Sequence, residues 1–123
     1  MITIDYFSDL LCVWAYGGQI RLETLQQAFP GQLLVRQRFL SLFADTETRI
    51  GEGWREQGGF DGFGRHMREV CGQWDHTHLA DDVWSRCRPR SCVIPHVFLK
   101  AVGLTLGLDA EDAHDDPRPQ QFD

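Results

Sequence analysis

The chain has 123 residues, 42% of them hydrophobic, which suits one compact domain with a single core and is short for two. Twelve Lys and Arg against eighteen Asp and Glu give a formal net charge of −6, which argues against nucleic acid and anionic membrane surfaces as partners held by charge. No apolar run approaches the roughly 20 residues needed to span a bilayer, and the opening MITIDYF has neither a basic n-region nor a long apolar h-region, so a cytoplasmic protein without membrane contact is expected. In that setting four cysteines read as reduced thiols, catalytic groups or metal ligands rather than as a disulfide scaffold.

Ile2 to Phe7 alternates in β-branched and aromatic residues and predicts a strand. Ser8 and Asp9 break the pattern. From about Val13 the apolar spacing becomes helical, with Ala15, Leu22, Leu25 and Phe29 on one stripe, ending near Pro30-Gly31. Leu33 to Leu40 predicts a second strand. Strand, helix and strand in about 40 residues make a βαβ unit with parallel strands, so the fold class is α/β.

Ala44 to Gly59 is polar and glycine-punctuated; then Phe60, Phe63, Met67, Val70 and Trp74 recur at helical spacing and read as a core-facing stripe. A short helix is expected over Leu79 to Trp84 and a last one from about Pro95 to Leu106, capped by Ser91, with Gly107 near its end. Beyond Leu108 the acidic, proline-rich DAEDAHDDPRPQQFD has too little apolar surface to offset its ordering entropy, and a disordered tail is expected over 108–123.

Cys12 falls at the corner between the first strand and the first helix. Helix-terminal N–H groups and the positive end of the dipole favour thiolate there, which makes Cys12 the candidate catalytic residue. Asp9, Trp14 and Tyr16 flank it as candidate substrate- or cofactor-binding residues, Trp14 and Tyr16 reading equally well as packing groups. Asp5 is a further candidate proton acceptor if it faces inward beneath the helix. A rival site is C-x4-H-x-H-x8-C-x4-C, formed by Cys71, His76, His78, Cys87 and Cys92. Its ligand types suit tetrahedral zinc, but its spacing is looser than the C-x2-C knuckles of structural zinc sites.

The run D-x-x-C-x-W-x-Y-G, Asp9 to Gly17, after an apolar strand resembles the active-site corner of the DsbA-like branch of the thioredoxin superfamily, which includes 2-hydroxychromene-2-carboxylate isomerases and kappa-class glutathione transferases. RPRSCVIPHVFLKAVGL, Arg88 to Leu104, resembles a helix of the domain inserted in those proteins. The resemblance implies a thioredoxin-like βαβ unit over 1–43, a helical insertion over 44–107, and thiol-disulfide oxidoreductase chemistry on a thiol or disulfide substrate. Glutathione is a possible co-substrate, and no bound cofactor or metal is required.

The chain departs from that family in two places. Cys12-Val13-Trp14-Ala15 stands where a CxxC is usual, so Ala15 replaces the resolving thiol and Cys12 would act as a lone nucleophile. The family's proline loop and last strands have no clear counterpart, which implies a C-terminally truncated member with an incomplete sheet. Pairing into a homodimer through an exposed sheet edge or apolar surface would cover it. Three alternatives stay open: a non-catalytic binding or interaction module, the Cys/His zinc domain, and a compact oxidoreductase in which Pro95 is a cis-proline followed by a strand.

Overall fold

A computed structural model describes residues 1–107; the tail expected over 108–123 lies outside the described residues. Three elements open the chain: strand β1 (Ile2–Ser8), helix α1 (Val13–Ala28) and strand β2 (Leu33–Phe39). The two strands pair in parallel, from Ile2 against Leu33 to Ser8 against Phe39, as the alternating sequence requires. The architecture is mixed α/β with a two-stranded parallel sheet. Its surface is tied by Asp5, which accepts from Arg36 Nε at 2.7 Å and from Arg38 Nε at 3.0 Å. Asp5 is therefore an ion-pair partner at the strand surface and not a proton acceptor beneath α1.

After β2 the chain makes a π-helical segment (Glu47–Glu52) and a single 3-10 turn (Arg55–Gln57), neither of which the glycine-punctuated sequence announced. Gly58, at φ +99°, takes the left-handed conformation that starts helix α2 (Gly59–Cys71). The α2 stripe is the core: Phe60, Phe63, Met67, Val70 and Cys71 are buried with Phe43, Ile50 and Trp84. The Trp84 indole stacks on Phe43 and Phe60 and meets Phe63 edge-on at 5.5 Å. Such aromatic pairs add about 0.5–1.5 kcal/mol each beyond the area they bury.

Several expected elements come out differently. Trp74 lies past the end of α2 and turns back against α1, its ring centroid 5.4 Å from that of Trp14. No helix forms over 79–84. Arg68 Nη1 takes the Asp81 and Val83 carbonyls, the Trp84 N–H donates to the Cys87 carbonyl, and Trp84 sits at φ +68°, which a right-handed helix cannot accommodate. On α1, Val13 and Gly17 are the buried positions, whereas Phe29 at the end of the expected stripe is 46% exposed. The last helix, α3 (Val93–Thr105), begins two residues earlier than expected, with Cys92 as its N-cap and the Ser91 hydroxyl accepting the Val93 N–H. Pro95 sits in its first turn, where a missing N–H costs nothing. The described residues hold no cis peptide bond, so the cis-proline alternative is not what this chain forms. No helix among the described residues is long and apolar enough to cross a membrane.

Candidate functional site

The corner between β1 and α1 is a tight turn closed by the Cys12 N–H donating to the Asp9 carbonyl at 3.0 Å. Cys12 is the N-cap of α1 in extended conformation, φ −85° and ψ 115°, and the first helical bond is the Tyr16 N–H on its carbonyl. The half-buried Cys12 thiol therefore stands at the N-terminus of α1, where it makes no side-chain capping hydrogen bond. Cys12 lies at the meeting of two cavities. One, of about 460 Å³, runs towards α2 and the π-helical segment and is lined by Trp14, Arg49, Trp54 and His66. The other, of about 350 Å³, runs along the sheet past Tyr6, Tyr16 and Gln37. The first is lined by two cationic or protonatable side chains, Arg49 and His66, that are far from Cys12 in sequence. The Arg49 guanidinium rests over the Phe43 ring at 5.0 Å.

Asp9 is 1% exposed and faces away from bulk solvent. Its Oδ1 accepts the Leu11 N–H at 2.8 Å, and its Oδ2 accepts the Phe43 N–H at 3.0 Å. The first bond shapes the corner as an Asx turn; the second bolts the corner to the chain after β2. Asp9 is thus a structural anchor of the site, and it also lines the cavity that runs along the sheet. Trp14 is 58% exposed and packs edge-on to Trp74. The Tyr16 hydroxyl accepts the His78 N–H at 3.0 Å. Both residues clamp the 74–78 loop onto α1 as well as lining a cavity at Cys12.

The proposed zinc set does not assemble. Cys71 is buried in the core, Cys87 is exposed, and the His76 Nε2 donates to the Gly17 carbonyl at 2.9 Å. The only His/Cys/carboxylate cluster among the described residues is a different one, Asp9, Cys92 and His96, all buried, with ligand-type atoms within 4.8 Å of one another. Sequence reasoning missed His96 and paired Cys92 with the wrong partners. The available signal was the spacing of four between Cys92 and His96, which puts both on one face of a helix.

That cluster is closed by the protein itself. The Leu10 N–H donates to His96 Nε2 at 3.1 Å, so this nitrogen carries no proton and its one lone pair is engaged. The proton belongs on Nδ1, which faces the Ser41 hydroxyl at 3.5 Å. The 3.4 Å approach of Nε2 to Asp9 Oδ1 is then a contact of a neutral imidazole rather than an ion pair. The ring stacks on Phe39 with centroids 4.5 Å apart. Burial pushes the Cys92 thiol above its ordinary value, and donation of its S–H to the Asp9 carboxylate adds to this, so it is a neutral group. With Nε2 and both Asp9 oxygens already bonded to backbone N–H groups, a metal would have to displace fold-holding hydrogen bonds, and the cluster reads as a network that fixes the corner.

Comparison with protein-family models, with curated proteins and with solved structures finds no match to this chain.

Proposed function

We propose that the protein is a thiol-disulfide oxidoreductase of the DsbA-like kind in which Cys12 acts as a lone nucleophile. The observation that carries this reading is the half-buried Cys12 thiol at the N-cap of a 16-residue helix, opening into a cavity that also holds Arg49 and His66. A helix N-terminus is a position where reactive thiols are found. The Cys12 thiolate attacks one sulfur of a disulfide, forming a mixed disulfide and releasing the other half as thiolate. Ala15 offers no resolving sulfur, so a second, external thiol such as glutathione attacks the mixed disulfide at the Cys12 sulfur, frees the bound half and leaves itself attached. Another equivalent of thiol then restores Cys12. A DsbA-like, thioredoxin-type relationship is the family this reading assigns.

Reduction of a small-molecule disulfide by glutathione, followed with parent and Cys12→Ser protein, tests the proposal. Catalysis by the parent that the variant loses is expected; equal rates overturn it.

One observation favours a second reading, a non-catalytic interaction module. Helix α3 exposes Ile94, Val97 and Phe98, and Phe7 of β1 is 59% exposed beside a cavity of about 750 Å³ between sheet and helix. Under that reading Cys12→Ser changes nothing, and self-association tracks substitutions at Val97 and Phe98.

A further inference from the structure

We infer that His96 is a positioning residue for Cys12: its neutral imidazole holds the β1–α1 corner by accepting the Leu10 N–H. The inference rests on the reading of Cys12 as the nucleophile, and it names the residue that governs when that nucleophile is in place.

The corner is four residues long, and each of its constraints is identifiable. Asp9 Oδ1 holds the Leu11 N–H, the Asp9 carbonyl holds the Cys12 N–H, and Asp9 Oδ2 fixes the corner to Phe43. The remaining amide, Leu10, is held by a side chain 86 positions away, on α3. His96 is 4% exposed and locked by its stack on Phe39, so the imidazole reaches Leu10 from a fixed place. Helix α3 and the Cys12 corner are thereby coupled through one nitrogen.

The same nitrogen faces two groups that want opposite things from it. Leu10 N–H at 3.1 Å needs a lone pair, while Asp9 Oδ1 at 3.4 Å would take a proton. Protonating Nε2 removes the lone pair, aims the new N–H at Asp9 and leaves the Leu10 N–H facing a donor. Asp9 then exchanges part of its grip on Leu11 for a bond to His96. The charged and titratable groups around it are Asp9 on the corner, Cys92 one turn back on α3, and Asp5, Arg38 and Lys100 lining the cavity between sheet and α3. Asp5 is taken up by Arg36 and Arg38, which leaves Asp9 as the carboxylate at contact distance. Loss of the Nε2 lone pair therefore loosens the corner inside a network that stays buried.

The experiment has two arms. In the parent, His96→Phe and His96→Gln proteins, hydrogen exchange of the Leu10 amide is followed by NMR at neutral pH. Separately, iodoacetamide alkylation of Cys12 is timed at neutral pH in His96→Phe, which keeps a ring against Phe39 and removes the acceptor, and in His96→Gln, which restores an acceptor. The Leu10 amide is expected to exchange faster in His96→Phe than in the parent, with most of the protection regained in His96→Gln. Alkylation in His96→Phe is expected to fall about tenfold, the scale of one lost buried hydrogen bond, with most of the rate recovered in His96→Gln. A Leu10 amide as well protected in folded His96→Phe as in the parent overturns the inference, as does folded His96→Phe protein alkylating at the parent rate. If Cys12 proves no more reactive than Cys87 in the parent, the oxidoreductase reading fails while the Leu10 arm still decides whether His96 holds the corner.

Discussion

The Trp74 indole occupies the space that a Cβ at Gly17 would need. This contact docks the 74–78 loop onto α1, helped by the His76 bond to the Gly17 carbonyl and the His78 bond to Tyr16. Gly17→Ala is expected to destabilise the fold by about 1–3 kcal/mol, because the added methyl meets a ring held from several sides and not the end of a flexible chain. Urea denaturation of the two proteins measures the difference. An unchanged midpoint would mean that Trp74 moves aside freely.

Asp9 carries two backbone donors that have no other acceptor among the described contacts, Leu11 and Phe43. Asp9→Ala leaves both without that acceptor, at about 1–3 kcal/mol for the buried Phe43 N–H and less for the part-buried Leu11 N–H. The loss should appear as lower stability in urea and as faster hydrogen exchange at the Leu11 and Phe43 amides. The same substitution loosens the turn that presents Cys12, so its alkylation should slow as well.

Asp5 gives the sheet a pH dependence of definite sign. The Arg36 guanidinium hydrogen-bonded to it holds its carboxyl below the ordinary value of 3.8; desolvation opposes this and Arg38 reinforces it. A depressed folded-state value means the ion pair stabilises the fold above the unfolded value and is lost as pH falls through the folded one. Parent and Asp5→Asn proteins should therefore differ in thermal midpoint near neutrality and converge below about pH 3.8. A constant gap across that range would show that Asp5 acts through packing alone.

Cys92 should behave in the opposite sense at the alkaline end. Its raised folded value, caused first by burial and then by the Asp9 hydrogen bond, keeps the thiol protonated in the fold. Stability from this source is present below the ordinary thiol value of 9.0 and is lost as pH rises towards the folded value. Cys92→Ala should flatten the alkaline decline of the thermal midpoint seen in the parent.

The βαβ unit was legible because each part announces itself locally. The alternation from Ile2, the break at Asp9 and the helical spacing after Val13 put β1, α1 and β2 within two residues of their observed bounds. The Phe60 to Val70 stripe likewise marked the core face of α2. The other parts depend on partners distant in sequence. No local pattern shows that Arg68 will take the carbonyls of 81 and 83 and prevent a helix there, or that Trp84 will adopt positive φ to bury its indole. The same holds at the site. Cys12 could be singled out from its corner position, but Arg49 and His66 reach its cavity only through tertiary folding. Asp9 was noticed as a neighbour of Cys12, whereas its role as a bolt depends on the Phe43 amide 34 positions on. The Cys/His spacing between 71 and 92 pointed to zinc because spacing says nothing of which side chains the core removes from reach.

The most direct measurement of the central claim is the competitive alkylation of the four thiols in the native protein at neutral pH, read residue by residue by mass spectrometry. Cys87 is exposed and serves as the ordinary reference, and Cys71 and Cys92 are buried. Cys12, although only half-buried, is expected to react several-fold faster than Cys87, as a thiol at a helix N-terminus in a cavity lined by Arg49 and His66 should. Reaction of Cys12 at or below the Cys87 rate would contradict the account.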